Sequence, residues 1–331
     1  MAITIKDVAA RCGLSVSTVS KAFNHYCDIS EHTREMVQRT AREMGYFPNA
    51  IARALKANRS YNLGVLFVDG SETGLTHDFF AAVLEGFKAE AERCRYDMTF
   101  ITHHIGRTAM SYLEHCRYRN VDGICLACVD FHAPEVQELA AADLPCVSID
   151  HAYPGRPCVL SENLQGMEAL VHRAFSLGHR KIAYVHGQSC TVTDNRIAGY
   201  RRAMASCGLA VRREWLKTCV YFRPDRGREA ALSLLRLPDP PTCILMPLEA
   251  ASELGLRVPE DLSLGGYDGM RLAQHIRPRL TTIAQNASQI GMLAARRLVD
   301  AIECVPPKEP WTTTVPGQLL AGESMGPISH A

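Results

Sequence analysis

The sequence predicts a small all-α helix-turn-helix headpiece followed by an α/β core built on parallel sheets. Three observations carry this. The first sixty residues read as short amphipathic helices separated by glycine stops. From Leu63 onward, apolar runs alternate with helical periods, as in repeated strand–helix units with right-handed crossovers. These units count roughly ten strands, too wide for one sheet, so two sheets are expected.

Val8, Ala9 and Cys12 share one face of a short helix, and Gly13 stops it, because glycine takes the left-handed backbone of a tight turn. Ser15 stands at the N-cap of a second helix, Val16 to Phe23, with Val19, Ala22 and Phe23 on its apolar side. Two short helices around a glycine turn make a helix-turn-helix, whose second helix can enter a major groove; an ordinary helical hairpin is the alternative. Ser30 caps a third helix with Val37, Ala41 and Met44 on its stripe, and Gly45 ends it. Pro48 and Asn49 open a further segment to Leu55, too short for a stable isolated helix, so a partner has to order it unless it is a plain linker.

The matching residues are Thr4-Ile5, Asp7-Val8-Ala9, Gly13, Val16-Ser17, Thr18-Val19-Ser20, Thr33-Arg34 and Gly45 to Asn49. In this order they resemble the DNA-binding headpiece of the lactose-repressor (LacI/GalR) family of bacterial transcription regulators. The resemblance extends over nearly the whole chain and implies a two-lobed, periplasmic-binding-protein-like core with a ligand cleft. It implies boundaries at 1–47 for the headpiece, 48–60 for a hinge helix and linker, and 61–331 for the effector-binding and dimerisation core. It further implies that Val16, Ser17 and Lys21 face base edges while Thr18 and Ser20 hold phosphates, with Thr4, Ser15 and Asn24 in the same interface. Leu55 would be the apolar wedge that the hinge helix drives into the minor groove, with Lys56 beside it.

In the core, strands are predicted at 63–68, 98–102, 121–129, 146–150, 181–187, near 219–222, 242–246 and 262–267. Helices are predicted between them at 79–94, 110–118, 134–142, 166–177, 195–207, 225–235 and 288–302. Ligands of open α/β sheets bind beyond the carboxyl ends of strands. Here those ends carry Asp69, Cys128 to Asp130, Asp150, Gly187-Gln188 and Tyr267-Asp268. The resemblance assigns Arg196 as the cleft arginine and Asp268 as the carboxylate that accepts hydroxyls; Asp69 and Asp150 are further candidates. A fork of donors beside carboxylate acceptors suits a polyol with adjacent hydroxyls. The alternatives are a surface arginine for Arg196 and turn residues for the aspartates.

One stretch departs from the family. After Met246 the family has an acidic or amide pair opening a long helix, whereas Pro247 to Gly255 follows at once here. About two turns of helix are missing at ~3.6 residues per turn, and a polar cleft residue with them.

Composition sets the remaining bounds. At 331 residues the chain suits about two domains. Its 47% hydrophobic and 21% charged residues are those of a globular protein. No apolar run reaches the ~18 residues of a membrane span, and no signal-peptide core opens the sequence, so the cytoplasm is expected. Net charge is +1, yet residues 1–60 hold nine Lys/Arg against five Asp/Glu, a basic module on a mildly acidic body. The thirteen cysteines are odd in number and irregularly spaced, and Cys125-Leu-Ala-Cys128 lies in an apolar run, so buried thiols are expected rather than disulfides or zinc. The histidines show no metal spacing and no nucleophile pattern is present; no cofactor, metal or catalytic residue is assigned.

The reading is a repressor that binds double-stranded operator DNA as a homodimer or tetramer under control of a small sugar or related metabolite. A constitutive DNA-binding regulator with a degenerate cleft and a sugar-binding protein without regulatory role are the alternatives.

Overall fold

A computed structural model describes residues 3–24, 26, 28–47, 59–68, 74–219, 224–246, 256–306 and 311–328. The chain divides into two compact units, Met1–Tyr61 and Asn62–Ala331.

The first unit contains α1 (Ile5–Cys12), α2 (Val16–Phe23) and α3 (Glu31–Met44). Each boundary has a chemical cause. The Thr4 main-chain N–H and hydroxyl both donate to the Asp7 carboxylate, at 2.8 and 2.7 Å. Gly13 ends α1 at φ 67° and Gly45 ends α3 at φ 72°, left-handed positions where a Cβ is costly. The Ser15 hydroxyl accepts from Thr18 N at 3.0 Å and the Ser30 hydroxyl from Thr33 N at 3.2 Å. The shared core is Val8, Ala9, Val19, Ala22, Val37 and Ala41, with Ile5, Leu14, Phe23 and Tyr46 packed around it. Small residues let three short helices approach closely, but they bury little area, so this unit leans on its caps.

The second unit has two six-stranded sheets among the described residues. The first sheet is ordered β13-β7-β6-β5-β1-β2, from β1 (Asn62–Phe67), β2 (Asp97–Phe100), β5 (Gly123–Ala127), β6 (Cys146–Ile149), β7 (Cys158–Ser161) and β13 (Thr312–Val315). A short antiparallel ladder, β3 (His104–Ile105) with β4 (Thr108–Ala109), hangs beside it. Its helices are α4 (Asp78–Arg93), α5 (Tyr112–Arg119) and α6 (Pro134–Ala141). The second sheet is ordered β14-β12-β11-β10-β8-β9, from β8 (Ile182–His186), β9 (Leu216–Thr218), β10 (Cys243–Leu245), β11 (Ser263–Asp268), β12 (Thr281–Ala284) and β14 (Gln318–Leu320). With it go α7 (Asn163–Ser176), α8 (Thr191–Ser206), α9 (Pro224–Leu235) and α10 (Arg271–His275). Within these sheets all pairings are parallel except β12 with β14. Parallel strands are buried on both faces, which explains unbroken runs such as GICLA in β5.

The chain crosses between the sheets three times. It leaves the first after β7, returns after β12 through α11 (Ala287–Ile302) to β13, and leaves again for β14. Glu162 N donates to Val315 O at 3.0 Å, tying the first crossing to the third. Helices pack backbone to backbone where glycine permits. A Cβ on Gly199 of α8 would lie 2.2 Å from the Leu164 carbonyl oxygen of α7, and one on Gly86 of α4 would lie 2.1 Å from that of Ser288 of α11. The buried Glu90 carboxylate joins α4 to α11 through Arg296 at 3.0 Å and also pairs with Arg93 of its own helix at 2.7 Å.

Several boundaries differ from the sequence reading. The strand expected near Cys219 lies earlier, at Leu216–Thr218, in register with Tyr184 to His186. Helix α8 begins at Thr191 instead of Asn195, and α7 at Asn163 instead of Gly166. Strands β7, β12, β13 and β14 were not among those predicted; they are three or four residues long, and β12 and β13 are rich in Thr. The proposed wedge Leu55 with Lys56, the candidate Asp69, and the shortened stretch from Pro247 to Gly255 lie outside the described residues. No helix among the described residues is long and apolar enough to cross a membrane.

Candidate functional site

The carboxyl ends of the two sheets meet at one place. From the second lobe come Arg196 of α8, Asn163 at the start of α7, Asp268 at the end of β11, and Gln285 just after β12. Arg196 Nε donates to Asn163 Oδ1 at 2.7 Å and Nη2 donates to Asp268 Oδ1 at 2.9 Å. The guanidinium carbon stands 3.7 Å from the Tyr267 ring centroid, a cation–π contact. Gln285 Nε2 donates to the same Asp268 oxygen at 2.6 Å. Arg196 is only 7% exposed, so it is not a surface arginine.

From the first lobe comes Asp150, at the end of β6. Its Oδ1 accepts from Ser161 N at 2.7 Å and its Oδ2 from Ser161 Oγ at 3.2 Å. Burial raises its pKa above the ordinary carboxylate value, against the Ser161 hydrogen bonds and the nearby Arg196 charge, which lower it. Asp268 adds a smaller push upward, which places the two candidate carboxylates within each other's field. Burial and the same carboxylates hold the Tyr267 hydroxyl well above its usual range. The structure thus brings Asp150, Arg196 and Asp268 together.

Backbone strain collects at the same strand ends. Cys128 after β5, Asp150 after β6 and Asp268 closing β11 all have left-handed φ, at 53°, 62° and 76°. Such residues cost about 1–3 kcal/mol each and cluster at functional sites. Aspartate tolerates the conformation better than most. The sequence reading missed Asn163 and Gln285. Asn163 resembles a helix-start residue, and Gln285 lies in a loop after a strand that the apolar pattern did not show.

In the first unit, Val16 and Ser17 are exposed at the start of α2, Val16 at 41%. The Ser15 and Thr18 hydroxyls share a hydrogen bond of 2.8 Å. Lys21 is paired with Asp28 in the following loop, and Asn24 Nδ2 donates to Ser20 O at 2.7 Å. Arg34 fastens α3 to that loop through Tyr26 O at 3.2 Å, which fixes how α2 is presented. The exposed start of α2 can offer hydroxyls and an apolar contact to a groove.

Comparison with known proteins agrees with this architecture. The family model of bacterial regulatory proteins, lacI family, matches residues 4–49, and that of the periplasmic binding protein-like domain matches 171–325. The chain is 30% identical over 326 residues to the ribose operon repressor of Haemophilus influenzae, across 94% of this chain and 95% of that protein. It is 32% identical over 314 residues to the HTH-type transcriptional repressor PurR of Vibrio campbellii, across 91% and 92%. Among solved structures, the transcriptional regulator CelR–cellobiose complex superposes with a TM-score of 0.69 at 28% identity, over 97% of this chain and 99% of that one. The lac repressor dimer bound to operator and the anti-inducer ONPF shares the fold, with a TM-score of 0.80 at 22% identity over 98% and 100%. The chain belongs to the lacI family of bacterial regulatory proteins and is a DNA-binding transcription regulator, not an enzyme.

Proposed function

We propose that the protein is a homodimeric repressor whose operator grip is set by a small neutral polyol, a sugar or sugar derivative, bound between the lobes of its core. The observation that supports this most is the Arg196–Asp268 pair beside Asp150. A guanidinium already neutralised by a carboxylate offers donors and acceptors without net charge, which suits hydroxyls better than an anion. The similar transcriptional regulator CelR, seen in complex with cellobiose, is consistent with that class.

In this reading α2 of each protomer lies in one half-site, with Val16, Ser17 and Lys21 at base edges and Thr4, Ser15, Thr18, Ser20 and Asn24 along the backbone. Lys21 has to exchange Asp28 for a base or phosphate, so part of its affinity is spent on that swap. Leu55 and Lys56 act at the minor groove, and Asp69 joins the cleft. Domain boundaries at 1–47, 48–60 and 61–331 follow, with the protein in the cytoplasm and on the nucleoid when bound.

The test has two arms. Operator fragments selected from random DNA are titrated with wild type and Leu55→Ala, reading affinity and bending by electrophoretic mobility. Loss of bending with Leu55→Ala supports the wedge, and unchanged bending sinks it. Calorimetry of the full chain against a panel of neutral sugars and sugar acids then tests the cleft. Binding of acids alone overturns the neutral-polyol reading, and binding of nothing leaves a constitutive regulator.

A further inference from the structure

The cleft contains a contact that the effector reading does not use. His151 follows β6 in the first lobe, and Thr191 opens α8 in the second. His151 Nδ1 and Thr191 Oγ1 share a hydrogen bond of 3.2 Å across the lobes. The imidazole is held by its own lobe on several sides. Phe131 stacks on it at 4.5 Å with 9° between planes, and Tyr153 and His132 meet it edge-on at 4.6 and 5.8 Å. Tyr153 in turn donates to Phe131 O at 2.8 Å, and Ser148 Oγ donates to His151 O at 2.5 Å. A ring so clamped cannot follow Thr191 if the lobes part, so the contact exists only when they are close. Thr191 and Arg196 stand on the same helix, so whatever fixes the start of α8 also fixes the cleft arginine.

We propose that His151 is a positioning residue that latches the first lobe to the start of α8, and that protonating its imidazole releases the latch. His132 and Tyr153 meet the ring, and the segments that come together at this contact also carry Asp130 after β5, Asp150 beside His151, and Asp194 and Arg196 on α8. Burial, and then His132, hold the His151 pKa below its ordinary value. With the lobes apart the ring keeps Phe131 and Tyr153 but loses the cover of α8, so its proton affinity rises part of the way back and the open form binds more protons. Acid therefore favours opening, between the ordinary value of about 6.5 and the lower value of the closed form. A threonine hydroxyl can accept from the imidazolium, so the release comes from the cost of charging a ring that α8 shields from water, not from loss of an acceptor.

The latch lies in the proposed effector cleft but depends on no effector, so its test uses neither sugar nor DNA. Hydrogen exchange of the full-length protein is read in segments 149–153 and 188–194 at about pH 7.5 and about pH 5.5, corrected for intrinsic rates. In wild type, protection of both segments is expected to fall roughly threefold or more on acidification. In His151→Phe, which keeps the stacking, that dependence is lost. In Thr191→Val, which keeps the imidazole, protection is already low at neutral pH. An equal acid response in His151→Phe, or wild-type protection in Thr191→Val, overturns the latch. Thr191→Val decides alone if the histidine variant does not fold.

Discussion

Arg196 and Asp268 form an ion pair at 2.9 Å within the second lobe, their side chains 8% and 21% exposed. The pair joins the middle of α8 to the end of β11, elements separated by β9 and β10 in sequence. It fixes both residues before any ligand arrives, with Asn163 holding the other side of the guanidinium. A preformed site of this kind spends little binding free energy on ordering side chains.

Breaking that pair should be expensive. Asp268→Ala leaves a buried guanidinium without its counter-charge, a loss of about 3–5 kcal/mol for such sites. Asp268→Asn retains an acceptor for Arg196 and should cost clearly less. Urea unfolding of the purified variants gives the ranking, and calorimetry with any sugar that wild type proves to bind should show both without measurable binding.

Asp150 should make stability fall as pH rises. Its folded pKa is raised, so the protonated form is favoured in the native state. The contribution is present below the ordinary carboxylate value and is lost as pH climbs through the raised one. Asp150→Asn imitates the protonated form and still accepts from Ser161 N. Thermal melts from about pH 4 to about pH 7 should be flatter for this variant than for wild type.

Gly199 tests helix packing. A Cβ there meets the Leu164 carbonyl at 2.2 Å, so Gly199→Ala has to push α7 and α8 apart, at about 1–3 kcal/mol. Gly208 has φ 70° and nothing within 4 Å of a Cβ, so Gly208→Ala bears only backbone strain, about 1 kcal/mol. Denaturant midpoints of the two variants measure the difference, which should favour Gly208→Ala.

The first unit should respond to its caps out of proportion to their size. Ser15→Ala removes the acceptor for Thr18 N and costs about 1 kcal/mol. With six small residues as its buried core, the unit has little stability in reserve. The variant should show faster amide exchange across α2 and weaker operator binding, while exchange in the second unit stays unchanged.

Much of this was legible in the sequence, for reasons that differ by element. Ser15, Ser30, Gly13 and Gly45 carry local cap chemistry, so the headpiece helices emerged with their ends. Buried strands such as Leu63 to Phe67 show as apolar runs because both faces are covered. The edge strands Thr312–Val315 and Gln318–Leu320 carry polar residues on solvated faces, and so left no such run. The start of α8 escaped because Thr191 to Asp194 contain one aliphatic residue among polar ones. In the cleft, Arg196 and Asp268 were reached through motif resemblance. Asn163, Gln285 and His151 matter only through contacts made across 17 to 40 residues, which no local pattern encodes.

The last two strands of the chain serve different lobes. Thr312–Val315 forms the rim of the first sheet and Gln318–Leu320 the rim of the second, with two residues between them. Loss of this pair after a single proteolytic nick would turn the interior strands β7 and β12 into raw edges at once. Unpaired margins of that sort recruit strands from other molecules. Damage to one short tail would therefore be felt as clumping of the whole protein rather than as local fraying.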